Sequence, residues 1–84
     1  DKVIWQRLGF ALVSIGKFEN AVKAFENSNK VQANNTDTFT GWGMALMKQG
    51  KFAEAQAKFI EAIKYNKYNI LAMAVSKEKL PKHE

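Results

Sequence analysis

The chain has 84 residues and a mass of 9.5 kDa, which leaves room for one small module and excludes a catalytic domain beside a binding one. Hydrophobic residues make up 46% of it and charged residues 25%, a globular balance that excludes disordered and collagenous classes, and no apolar run nears the roughly 18 residues of a spanning helix. Its net charge of +5 rests on Lys, with Arg7 the one guanidinium, so the basicity is not that of a nucleic-acid reader; zero Cys and a single His83 exclude disulfides, thiolate zinc sites and thiol nucleophiles.

The first periodic stretch carries Trp5, Leu8 and Leu12 at spacings of three and four, which predicts an amphipathic helix. Gly16 stands where that helix should end, because glycine takes the left-handed conformation of a helix C-terminus without a Cβ penalty. A second helix follows, with Phe18, Ala21, Val22 and Phe25 on one stripe. Asn34, Asn35, Thr36 and Asp37 then supply turn chemistry and N-cap oxygens. The scheme repeats: Phe39, Trp42 and Leu46 mark a third helix, Gly50 a second hairpin turn, and Phe52, Ala55, Phe59 and Ile63 a fourth helix. Asn69 precedes a closing helix over 70–80, whose Ile70, Leu71, Met73 and Ala74 are expected to cover the end of the second unit, and Pro81 ends it. A short basic tail, 81–84, follows.

Subtraction makes the repetition explicit. A shift of 34 residues carries Trp5 onto Phe39, Leu8 onto Trp42, Gly9 onto Gly43, Leu12 onto Leu46, Gly16 onto Gly50, Lys17 onto Lys51, Phe18 onto Phe52, Ala21 onto Ala55 and Phe25 onto Phe59. The chain therefore divides into one unit from Lys2 to Asn35, a second from Thr36 to Asn69, and a remainder. Gly9 and Gly43 fall inside helices, where glycine costs about 0.5 to 1 kcal/mol relative to alanine. The expected compensation is steric, a partner helix approaching the bare backbone.

These residues resemble the tetratricopeptide repeat family: Trp5, Leu8, Gly9, Leu12, Gly16, Ala21, Phe25 and Ser28 follow its signature, and Phe39, Trp42, Gly43, Leu46, Gly50, Ala55, Phe59 and Ala62 follow it again. Departures are Leu12 and Leu46 where Tyr is common, and Ala33 and Lys67 where the family usually has Pro. The resemblance implies an all-α fold of about five helices, with antiparallel pairs stacked as a right-handed superhelical solenoid. It implies a concave face, lined by the first helix of each unit, that receives an extended peptide or a helix. On this chain that face is expected to carry Val3, Gln6, Phe10, Val13 and Ser14, then Asp37, Thr40, Met44, Met47 and Lys48. Phe10, Met44 and Met47 suit an apolar ligand, since thioether and aromatic side chains adapt to what they meet. Asp37 and Lys48 would set orientation by charge.

The cationic clamp that some members close on a chaperone's C-terminal carboxylate has no counterpart, because Gln6, Phe10, Gly41, Leu71 and Val75 fill its places. The first residue is Asp rather than Met, which points to an excerpt of a longer array. Two units are fewer than such stacks usually need. The outer flank of the first helix, with Val3, Ile4 and Ala11, is then left partly bare, and a structural unit that self-associates through its end helices is the alternative reading. Enzymatic chemistry is not expected: Glu19, Glu26, Glu54 and Glu61 fall on Lys-flanked faces rather than in apolar pockets, and no nucleophile stands beside a base. The expected partner is another protein, with homo-oligomerisation as the alternative, no nucleic acid, no cofactor and no bound metal.

Overall fold

The computed structural model describes residues 3–65, and all regular structure in that span is helical. Helix α1 runs over Ile4–Ser14, α2 over Phe18–Val31, α3 over Thr36–Lys48 and α4 over Phe52–Lys64. The expected closing helix lies outside the described residues. Within them, α1 packs on α2 and α3 on α4 as two hairpins, while α2 and, to a smaller extent, α1 pack on α3. The fold is all-α, with α3 touching each of the other three helices.

The two hairpin turns are built alike, as the 34-residue period requires. At the first, Gly16 has φ of +84°, its N–H donates to the carbonyl of Val13 at 3.0 Å, and the Lys17 N–H reaches the carbonyl of Leu12 at 2.8 Å. At the second, Gly50 has φ of +82°, donating to Met47 at 3.0 Å, and Lys51 donates to Leu46 at 2.9 Å. These paired bonds satisfy the last carbonyls of α1 and α3 in a Schellman arrangement, whose left-handed residue glycine takes at no steric cost. Between the units, Asn34 takes φ of +63° and the Asn35 side chain caps α3, accepting from the Thr38 N–H at 3.1 Å. An amide oxygen at this position satisfies one of the four donors that a helix start leaves open.

The core is small and sits where α1, α2 and α3 meet. Ala21, Phe25 and Ala45 form its centre, with Phe10, Leu12, Val13, Val22 and Trp42 packed around them. The helical glycines have the compensation expected of them. A Cβ on Gly9 would stand 2.7 Å from the Phe25 ring, and one on Gly43 would stand 2.8 Å from the Phe59 ring. Gly41 does the same work: a Cβ there would lie 2.3 Å from Phe25 and 2.9 Å from Phe10. Phe25 is thus pressed onto the bare backbone of α1 on one side and of α3 on the other, which is how one side chain ties the first hairpin to the second.

Of the flank expected to be bare, Ile4 and Ala11 are exposed whereas Val3 is half-buried, and the exposed surface extends further along α1. Trp5 is 37% exposed where its counterpart Phe39 is 6% exposed, and Leu8 stands out where Trp42 is half-buried. The reason is positional, since α2 packs on α3 and Tyr65 stacks on Phe39, whereas no described helix covers the corresponding side of α1. Phe52, expected on the packed stripe of α4, is likewise exposed.

Candidate functional site

The residues expected on the concave face divide between α1 and α3, whose helices touch directly. On α3, Thr40, Met44 and Met47 recur at four and three, on the side of the helix opposite Trp42 and Leu46. Met47 is 42% exposed and Met44 half-buried beside it. Asp37 and Lys48, at the two ends of the same helix, are both exposed. Thr40 is turned onto its own helix, its hydroxyl donating to the carbonyl of Thr36 at 2.9 Å.

The α1 members are tied into the structure more tightly. Phe10 is half-buried and meets Phe25 edge to face, with ring centroids 5.1 Å apart and planes at 80°. Val13 packs against the core cluster. Gln6 is half-buried, and its Oε1 lies 3.4 Å from the Thr38 hydroxyl, which is itself 2.9 Å from that of Ser28. Thr38 and Ser28 are buried, so this polar line runs from α2 through α3 to the partly open amide of Gln6. Ser14 is exposed and bonds back to the carbonyl of Ala11 at 2.7 Å. Val3 is half-buried just ahead of α1. The face is therefore held firm on its α1 side by the core and offers its open apolar surface chiefly on α3, where no side-chain hydrogen bond restrains the thioethers.

A second surface lies elsewhere. A cleft of about 420 Å³ opens between α2 and α4, floored by Trp42 and Leu46 and rimmed by Glu26, Lys51, Glu54 and Lys58. The Lys58 ammonium stands 3.8 Å from the centroid of the Trp42 ring, within cation–π distance. Phe39 stacks on Trp42 at 6.1 Å and on Tyr65 at 6.1 Å. Lys58 and Trp42 are 16 residues apart on different helices, so no helical spacing betrays their pairing in the sequence. Among the described residues, no cluster of His, Cys, Asp and Glu has the geometry of a metal site, and no helix is long and apolar enough to cross a membrane.

Comparison with known proteins agrees with this architecture. Residues 3–35, which include α1, its hairpin turn and α2, match the family model described as tetratricopeptide repeat. This stretch is therefore similar to a tetratricopeptide repeat, and the 34-residue shift reproduces its turn chemistry in the following unit. No curated protein and no solved structure gives a match. Such repeats are generally non-enzymatic, and their presence suggests a scaffold for protein–protein interaction.

Proposed function

We propose that the chain binds a peptide or helix of another protein along the face formed by α1 and α3, and that it performs no catalysis. The observation that supports this reading is the exposed Met47 beside the half-buried Met44, an adaptable apolar strip flanked by Asp37 at one end of α3 and Lys48 at the other. A ligand helix would lay its apolar side on the thioethers, with Gln6 and Thr40 bordering the strip and Phe10, Val13 and Val3 supporting it from α1. The opposed charges of Asp37 and Lys48 would then prefer one direction of the bound segment. The organisation that belongs with this reading is two repeats, 2–35 and 36–69, closed by a helix over 70–80.

The test begins with a library of amphipathic peptides panned against the chain. Replacing Met44 and Met47 together by Glu puts two carboxylates where the ligand's apolar side must lie, so the affinity of the selected peptides is expected to fall by about a hundredfold, with helical content unchanged. Full affinity in the double variant would show that the peptides bind another surface.

A further inference from the structure

We propose that the chain also pairs with a second copy of itself through the outer side of α1, antiparallel and about a two-fold axis. This surface is separate from the peptide-binding strip and does not depend on it. It consists of Ile4, Leu8, Ala11 and Ile15, at spacings of four, three and four, which is the seam of a two-helix coiled coil. Ile4 is 56% exposed, Leu8 42% and Ile15 65%, and Ala11 is exposed among them. No described residue covers this stripe.

The antiparallel register follows from the side chains themselves. Setting Ile4 of one copy against Ile15 of the other places Leu8 against Ala11, a large residue over a small one, and the two-fold axis repeats both pairs. Arg7 is the only charged residue of α1, and in this register it faces Leu12 rather than its own copy. Neither like charges nor a buried acid oppose the contact. A parallel pairing would set Ala11 against Ala11 and leave a gap between two leucines and two isoleucines.

The obvious rival is head-to-tail stacking, in which α4 of one copy covers α1 of the next as α2 covers α3 within the chain. The 34-residue shift shows why that fails. Phe59 would take the part of Phe25, and the position it must press upon is Arg7 in place of Gly41. At Gly41 even a Cβ would come within 2.3 Å of the Phe25 ring, so an arginine side chain holds the incoming helix off. The hydroxyl pair of Ser28 and Thr38 is lost as well, becoming Ala62 against Ile4. The repeat therefore does not propagate between copies, and the symmetric contact, which closes on itself, remains. It is smaller than the roughly 1,600 Å² of a standard interface, so a weak dimer is expected, forming in the range of about 10 μM to 1 mM.

Sedimentation equilibrium of the 84-residue chain over that range is expected to show a monomer–dimer equilibrium with no larger species. Leu8→Glu is expected to weaken the dimer by about a hundredfold, since it places an unpaired carboxylate in the seam. Exposed residues are altered, so circular dichroism should report unchanged helicity. Register is read by cross-linking, which is clean because the chain has no cysteine of its own. A mixture of Ile4→Cys and Ile15→Cys chains is expected to form the mixed disulfide in preference to either homodimer. A monomer at every concentration would overturn the proposal and point to another segment covering α1. A dimer indifferent to Leu8→Glu, a ladder of larger species, or preferred cross-linking of Ile4→Cys to itself would overturn it in favour of a different contact.

Discussion

Phe25→Ala is expected to remove a large part of the stability of the fold while leaving a measurable unfolding transition. Removing a buried phenylalanine costs about 3 to 5 kcal/mol, whereas a chain of 84 residues holds roughly 4 to 13 kcal/mol in total at the usual stability per residue. The upper end of the range applies because the cavity cannot collapse easily. The ring is fully buried, and two of the walls around it are the backbones of α1 and α3 at Gly9 and Gly41, which supply no side chain to fall into the space. Phe59→Ala makes the comparison. Phe59 holds the same place in the second unit and approaches Gly43 about as closely as Phe25 approaches Gly9, but it is half-buried and has a bare backbone on one side only. Its removal is expected to cost about half as much, since the penalty scales with what the side chain fills. Denaturant unfolding followed by circular dichroism gives both values, and equal losses would refute the claim that Phe25, unlike Phe59, ties the two hairpins together. Coupling provides a further check. Gly41→Ala in the natural chain drives a methyl into the Phe25 ring and should cost about 1 to 3 kcal/mol, whereas in the Phe25→Ala background the same methyl enters the void and should stabilise.

How much of this was legible in the sequence is seen most clearly at the glycines. Gly16 and Gly50 announced the hairpins because a helix C-terminus needs a left-handed residue, and the 34-residue shift made the two signals one. Gly9 and Gly43 could be read as close approaches, since nothing else offsets glycine in a helix interior. Gly41 was not read in that way, because it breaks the repeat: its counterpart is Arg7. That break is itself the signal, for it marks where α2 must reach a neighbouring unit rather than its own partner. The stripe of Trp5 and Leu8 was legible as a face that wants burial, but periodicity names the face and not its neighbour, and only the packed coordinates reveal that α3 has a helix on that side while no described helix lies there on α1. Phe10 shows the same limit from the other direction. Its spacing fits the concave face, yet the room left by Gly41 lets it turn edge to face onto Phe25.

Thr38→Val is expected to cost about 1 to 3 kcal/mol even though it barely changes the side chain's shape, because it strands a buried partner. Thr38 is fully buried and its hydroxyl meets that of Ser28 at 2.9 Å, with Gln6 at the far end of the line. Valine at this position leaves the Ser28 hydroxyl without its partner in a site that excludes water. One escape is open, since a helical serine can turn back to the carbonyl four residues earlier, and that would bring the loss toward the lower end of the range. Changing both residues, Ser28→Ala with Thr38→Val, removes the need for a partner altogether. The double variant is therefore expected to recover most of the stability lost by Thr38→Val alone, with a coupling energy of about 1 kcal/mol or more between the two sites. Additive losses would mean that the hydroxyls are neighbours without being partners. The second unit has Ala62 where the first has Ser28, so the polar line is a feature of the junction between α2 and α3 and not of the repeat as such. It fixes the depth at which α3 sits against the first hairpin, and with it the position of Met44 and Met47 on the proposed binding face. Thr38→Val is accordingly expected to loosen peptide binding as well as to lower stability, whereas the double variant, with its packing restored, should bind as the natural chain does.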